Sequence, residues 1–155
     1  PKELLLKERL DFYEPAKRIV ISAAFTQSIQ KCLKACKVMG WHAYESHGRS
    51  RPTPKDLDHF ASDSDDLLAM VVHPACVYGL NLSASPTIQV YSNDFNSDSR
   101  AQLIERCDRP GKEGHSGTKI DDYIHLPSDL KVLNNLNAKL NVYNFTVEEI
   151  RRWFS

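Results

Sequence analysis

The sequence predicts an α/β fold: a mainly parallel sheet with helices on both faces. Three observations carry this. Short apolar, β-branched runs of the kind shown by fully buried parallel strands recur at Arg18–Phe25, Leu67–Val72 and Thr87–Tyr91. Between them lie segments with helical periodicity and recognisable caps. The chain of 155 residues, 41% hydrophobic and 26% charged, suffices for one core and a single domain over 1–155.

Residues 2–13 read as a helix within an N-terminal segment 1–14, with Leu5, Leu6, Leu10 and Tyr13 on roughly one face. Pro15 ends it. After the strand at Arg18–Phe25, Thr26 is the expected cap of a helix that runs to Val38 and stops at Gly40. Trp41–Tyr44 reads as a second short strand, and the polar stretch Glu45–Pro54 as a loop. Pro54 suits the first turn of a helix ending near Phe60. Beyond the acidic turn Asp63–Asp66 come a third strand, Leu67–Val72, and a fourth, Thr87–Tyr91. Ser97 or Asp98 is the expected cap of a helix reaching Cys107. Arg109–Thr118, with three glycines and a proline, is a loop. Tyr123–Leu126 reads as a fifth strand closed by Pro127. Helices fill 128–155, a long one capped by Ser128 or Asp129 and a last one opened by the capping box Thr146 and Glu149.

Composition limits the function classes. Lys plus Arg and Asp plus Glu number 20 each, so a nucleic-acid contact must come from a local patch. No stretch approaches the length of apolar chain that spans a membrane, and the charged N-terminus has no signal-peptide shape. Cys32 and Cys36 have the spacing of half a metal site. No second pair stands at ligand spacing, so Cys32, Cys36, Cys76 and Cys107 read as reduced thiols and no metal is expected. A cytoplasmic or nuclear location follows, and the sequons at Asn81 and Asn144 then carry no glycan.

In parallel sheets ligands bind at the carboxyl ends of strands, here the loops after Phe25, Tyr44, Val72 and Tyr91. The segment Met70–Lys112 holds the turn Gly79-Leu80-Asn81-Leu82, a strand, and a helix presenting Gln102 and Arg106 on one face, with Arg109 just beyond. Two forked guanidiniums beside a glycine turn suit an anion clamp. Surface salt bridges to Asp98, Glu105 or Asp108 account for the same spacing. Arg49, Arg51 and Lys55 form a small basic loop that suits either a phosphate backbone or bulk water. The six histidines are scattered, and Trp41 and Trp153 read as core or interface residues.

Met70–Lys112 resembles motifs V and VI of superfamily-2 helicases, closest to the Swi/Snf-type remodelling ATPases and their viral relatives. The residues that carry the likeness are Gly79-Leu80-Asn81-Leu82, then Val90-Tyr91, then Gln102 through Gly111 with Arg106 and Arg109 in place. Upstream, Arg18–Phe25 resembles the motif IV strand, 40–48 the strand and loop after it, and Pro54–Phe60 the following helix. Asp122–Leu126 resembles the strand after motif VI, so the likeness spans about 15–145. It implies a RecA-like three-layer sandwich, the second of two motor domains, and a viral or phage source.

The resemblance also implies the site. Arg106 and Arg109 would be arginine fingers, pointing out at the carboxyl end of the sheet near the Gly79–Leu82 turn, with Gln102 orienting water or the γ-phosphate. Gly79 and Asn81 would join them in binding ATP. Ser22, His47, Gly48, Arg49 and His73 would contact nucleic acid, DNA rather than RNA. Three positions depart from the family pattern: Glu105 replaces a glycine, His73 replaces the motif V threonine, and Pro74 removes a backbone donor. The chain has no phosphate loop and no Asp-Glu box; the nearest string, Arg109–Glu113, has one glycine and no hydroxyl after the lysine. ATP and Mg2+ are therefore expected on a partner, the N-terminal RecA-like domain of the same or a separate chain. Two other readings remain: a degenerate RecA-like module that binds nucleic acid or protein without ATPase activity, and an enzyme whose Arg106 and Arg109 hold a phosphorylated small molecule.

Overall fold

The computed structural model describes residues 2–94, 96–108, 118–124, 131–136 and 138. In chain order these form α1 (Lys2–Phe12), β1 (Arg18–Ser22), α2 (Thr26–Val38), β2 (His42–Ser46), α3 (Pro54–Ala61), β3 (Leu68–Val72), β4 (Thr87–Val90), α4 (Ser97–Cys107) and β5 (Lys119–Asp122). Short 3₁₀ turns follow α1 at Glu14–Ala16 and β3 at Pro74–Cys76. The five strands make one all-parallel sheet in the order β2-β3-β1-β4-β5. Among the described residues no helix is long and apolar enough to cross a membrane.

The alternation of the strands divides the core. Ile19, Ile21, Ala69 and Val71 face one side, where α1 and α2 lay down Leu6, Leu10, Ile29, Cys32 and Cys36. Val20, Leu68, Met70, Val72, Ile88 and Val90 face the other, met by Phe60 of α3, Leu103 and Cys107 of α4, and Val77, Leu80 and Leu82 of the β3–β4 connection. The right-handed rule for parallel crossovers explains the split. Only the β1–β2 connection runs toward the β2 edge, so α2 lies on one face; the later connections run the other way and lie opposite.

Local chemistry fixes the ends. Gly40, at φ +80°, closes α2 in a Schellman motif: its amide meets the Lys37 carbonyl at 3.3 Å and the Trp41 amide meets that of Cys36 at 2.8 Å. Trp41 then packs into the core, and Cys32 and Cys36 are free buried thiols. At α3, Thr53 and Asp56 form a full capping box with Pro54 in the first turn.

Four expectations need correction. The fifth strand is Lys119–Asp122, with Tyr123 and Ile124 beyond its end and 125–126 outside the described residues; Gln89 of β4 and Arg100 of α4 take up its carboxylates, so a polar edge segment pairs with β4. Phe25 precedes α2 with no side-chain cap, so Thr26 is its first residue. Asn96, not Ser97 or Asp98, caps α4 by accepting from the Ser99 amide at 3.1 Å. β1 ends at Ser22, while β2 extends to Ser46 because its last residues pair with β3. The expected helices over 128–155 fall largely outside the described residues, of which 131–136 are helical.

Candidate functional site

α4 carries Gln102 exposed and Arg106 half-buried, four residues apart on one face, while Leu103 and Cys107 anchor it below. The Arg106 carbonyl accepts the Leu82 amide at 3.1 Å, so the Gly79–Leu82 turn and the end of α4 do meet. Leu82 and Arg106 meet toward the amino ends of β4 and β5, whereas Tyr78, just before Gly79, is bonded to Arg51 in the loop after β2 at the carboxyl edge. α4 starts beyond β4 and runs back about 15 Å at 1.5 Å per residue, and the Cys107 carbonyl accepts from Thr118, just before β5. Among the described residues no ion pair takes up the Arg106 guanidinium. Glu105, between Gln102 and Arg106, is exposed. Arg109 and Gly111 lie outside the described residues.

Gly79 sits at φ +76° with nothing within 4 Å of where a Cβ would stand. Backbone conformation, not crowding, demands glycine there. Leu80 and Leu82 plug the core on either side of Asn81. The Asn81 carboxamide oxygen accepts from the Ser83 amide at 3.2 Å and the Ser83 hydroxyl at 2.7 Å, leaving its NH2 group to offer a ligand.

At the carboxyl edge, His47 and Ser50 exchange backbone bonds of 2.8 and 3.2 Å around Gly48 and Arg49, both exposed. His47 Nε2 lies 3.1 Å from Glu45, and its Nδ1 accepts the Arg49 amide at 3.3 Å. His73 Nδ1 accepts the Ala75 amide at 3.0 Å and so caps the 3₁₀ turn; Nε2 is the ring atom left to meet an outside group. Ser22 is 1% exposed at the end of β1, too buried to reach an external strand, which removes it from the expected contacts.

Sequence reasoning missed two buried arginines. Arg100, 8% exposed in the first turns of α4, makes a bidentate pair with Asp122 at 2.7 and 2.8 Å, and Asn93 accepts from it at 3.2 Å. Arg100 lines a crevice of about 10 Å³ with Ser22, Val90 and Asn93, room for roughly one water. The Arg100–Asp122 pair is a structural clamp rather than a nucleotide pocket. Arg18, 4% exposed at the amino end of β1, donates to the carbonyls of Lys17, Phe60, Ser62, Ser64 and Asp66. Burial pulls its pKa down, while Asp66 and Asp63 act against that. Beside it runs a chain from the Tyr44 hydroxyl to His59 at 2.6 Å and from His59 to Asp66 at 2.8 Å. Burial, ahead of Asp56 and Asp66, raises the Tyr44 pKa. The one sequence signal was an arginine placed directly before a β-branched run.

Among the described residues no group of three or more His, Cys, Asp or Glu could hold a metal ion. No protein-family model matches the chain, and no curated protein matches it in sequence. In three dimensions it is similar to the crystal structure of the C-terminal part of the Fun30 ATPase domain. The TM-score is 0.72 at 18% identity, over 85% of this chain and 44% of that one. The chain thus spans less than half of that structure. The fold is the one the motif likeness implied, a RecA-like α/β sandwich with an all-parallel sheet.

Proposed function

We propose that this chain is the second motor domain of an ATP-dependent nucleic-acid helicase or translocase, paired with a first RecA-like domain on the same or a separate chain. The observation that carries this reading is the 3.1 Å bond from the Leu82 amide to the Arg106 carbonyl. It ties the glycine turn to the arginine-bearing helix end within a fold shared with part of an ATPase domain. ATP and Mg2+ belong mainly to the first domain. From this side Arg106, with Arg109 after it, offers forked donors to charge developing on the transferred phosphoryl group. Gln102, one turn earlier on the same face, orients water or the γ-phosphate, and Gly79 and Asn81 border the nucleotide. The loops carrying His47, Gly48, Arg49 and His73 face the nucleic-acid backbone, DNA rather than RNA.

A second reading, a RecA-like binding module without an ATP cycle, is favoured by the exposed Glu105 between Gln102 and Arg106. The test joins the chain to its first motor domain. Arg106→Lys keeps the charge but loses the planar fork. ATP binding should stay near wild type while turnover falls roughly 10³-fold or more. Near-normal turnover in Arg106→Lys would remove the finger role, and no turnover in the wild-type pair would leave the binding module.

A further inference from the structure

Tyr78 is the most exposed large apolar side chain among the described residues, at 76%. Its display is built. Val77 and Leu80, at 0% and 2% exposed, anchor the two ends of a turn closed by the Leu80 amide on the Val77 carbonyl at 3.1 Å. Gly79 at φ +76° occupies the third position of that turn, as a type II turn requires, and Tyr78 the second. Arg51 Nη2 donates to the Tyr78 carbonyl at 2.7 Å, pinning the turn to the loop after β2. Two buried plugs, one left-handed glycine and one guanidinium therefore hold the ring out in solvent. Among the described residues no other ring stacks on it.

The surroundings are cationic. Arg49, Arg51 and Lys55 are all exposed, and no carboxylate lies between Ser46 and Lys55, or between Leu67 and Asn93. The nearby Asp56 is held in the α3 capping box. A fixed aromatic face beside cations matches how proteins hold an unpaired strand: bases stack on rings while cations follow phosphates. A paired base hides its faces in the helix stack, so the ring distinguishes single from double strands.

We infer that Tyr78 is a stacking platform for an unpaired nucleobase, with Arg49, Arg51 and Lys55 holding the flanking phosphates. The inference rests on the reading that this chain engages nucleic acid, and it adds that the track includes a single-stranded segment. The test compares wild type, Tyr78→Phe and Tyr78→Ala for affinity to a short oligothymidylate, and to an abasic strand of the same length, at low salt. Tyr78→Ala should weaken the oligothymidylate roughly 5- to 100-fold, Tyr78→Phe should bind as wild type does, and the abasic strand should bind all three alike. Thermal unfolding of the exposed-site variants should be unchanged. Equal oligothymidylate affinity in Tyr78→Ala, an equal loss on the abasic strand, or a loss in Tyr78→Phe would overturn the stacking role while leaving nucleic-acid binding intact. Wild type that binds neither strand would overturn both the inference and the reading beneath it.

Discussion

Arg18 ties the end of α3 to the start of β1, so replacing it with methionine measures what that clamp contributes. Four of its bonds, to the carbonyls of Phe60, Lys17, Asp66 and Ser62, are 2.7–2.8 Å long. At about 1.5–3 kcal/mol for each bond to a charged group, their gross value is on the order of 10 kcal/mol. Two discounts apply. Ser62 and Asp66 are exposed, so water can reach their carbonyls once the guanidinium is gone. Methionine also removes the cost of burying a charge. What remains is the Phe60 carbonyl, orphaned at a helix end beneath a fully buried ring, and the lost link between α3 and the sheet. The expected cost of Arg18→Met is about 1–3 kcal/mol, typical of leaving a buried carbonyl without its partner. For a chain of this size that lowers the melting temperature by roughly 2–12 °C. Arg18→Lys should fall between, because a compact ammonium cannot serve five carbonyls in a fork. Thermal and denaturant unfolding followed by circular dichroism give both numbers. A loss below about 1 kcal/mol for Arg18→Met would refute the clamp as a determinant of the fold.

Asp122→Ala should cost about 3–5 kcal/mol in the same assay, because it strands the Arg100 charge; Asp122→Ala as stable as wild type would show that water already serves Arg100. Alkaline pH should destabilise the chain. Burial raises Tyr91 from 10.0 to about 12 and Cys36 from 9.0 to about 12, and raises Tyr123 and Cys32 in the same direction. These groups stay neutral when folded but ionise at their ordinary values when unfolded. Their stabilisation is thus full below the unfolded values and is lost as pH rises toward the folded ones, between about 9 and 12. A denaturation midpoint unchanged from roughly pH 8 to 11 would contradict this.

Much of the fold was legible because burial left a plain mark. Ile19-Val20-Ile21 and Ala69-Met70-Val71-Val72 are apolar on both faces, as central parallel strands must be, and Gly40 and Pro54 mark their helix ends by backbone chemistry. β5 was misread because Lys-Ile-Asp-Asp is an edge strand whose polarity serves Gln89, Asn93 and Arg100, contacts that sequence order does not reveal. The caps at Thr26, Ser97 and Asp98 were misplaced because neighbouring residues compete for one position, and backbone geometry decides between them. The meeting of Arg106 with the Gly79–Leu82 turn was legible from the motif likeness. The end of the sheet where it occurs was not, since that follows from the length of α4. Arg18 and Arg100 escaped notice because an arginine reads as surface until the carbonyls or carboxylate around it are known.

The most direct measurement of the central proposal is nucleic-acid-stimulated ATP turnover, first by this chain alone and then by the chain joined to its first motor domain. The isolated chain should show none, because it has no phosphate loop and its described residues hold no metal-binding carboxylate cluster, and turnover should appear on joining. Stimulated turnover by the isolated 155 residues, or none from the joined pair with an intact phosphate loop, would contradict the account.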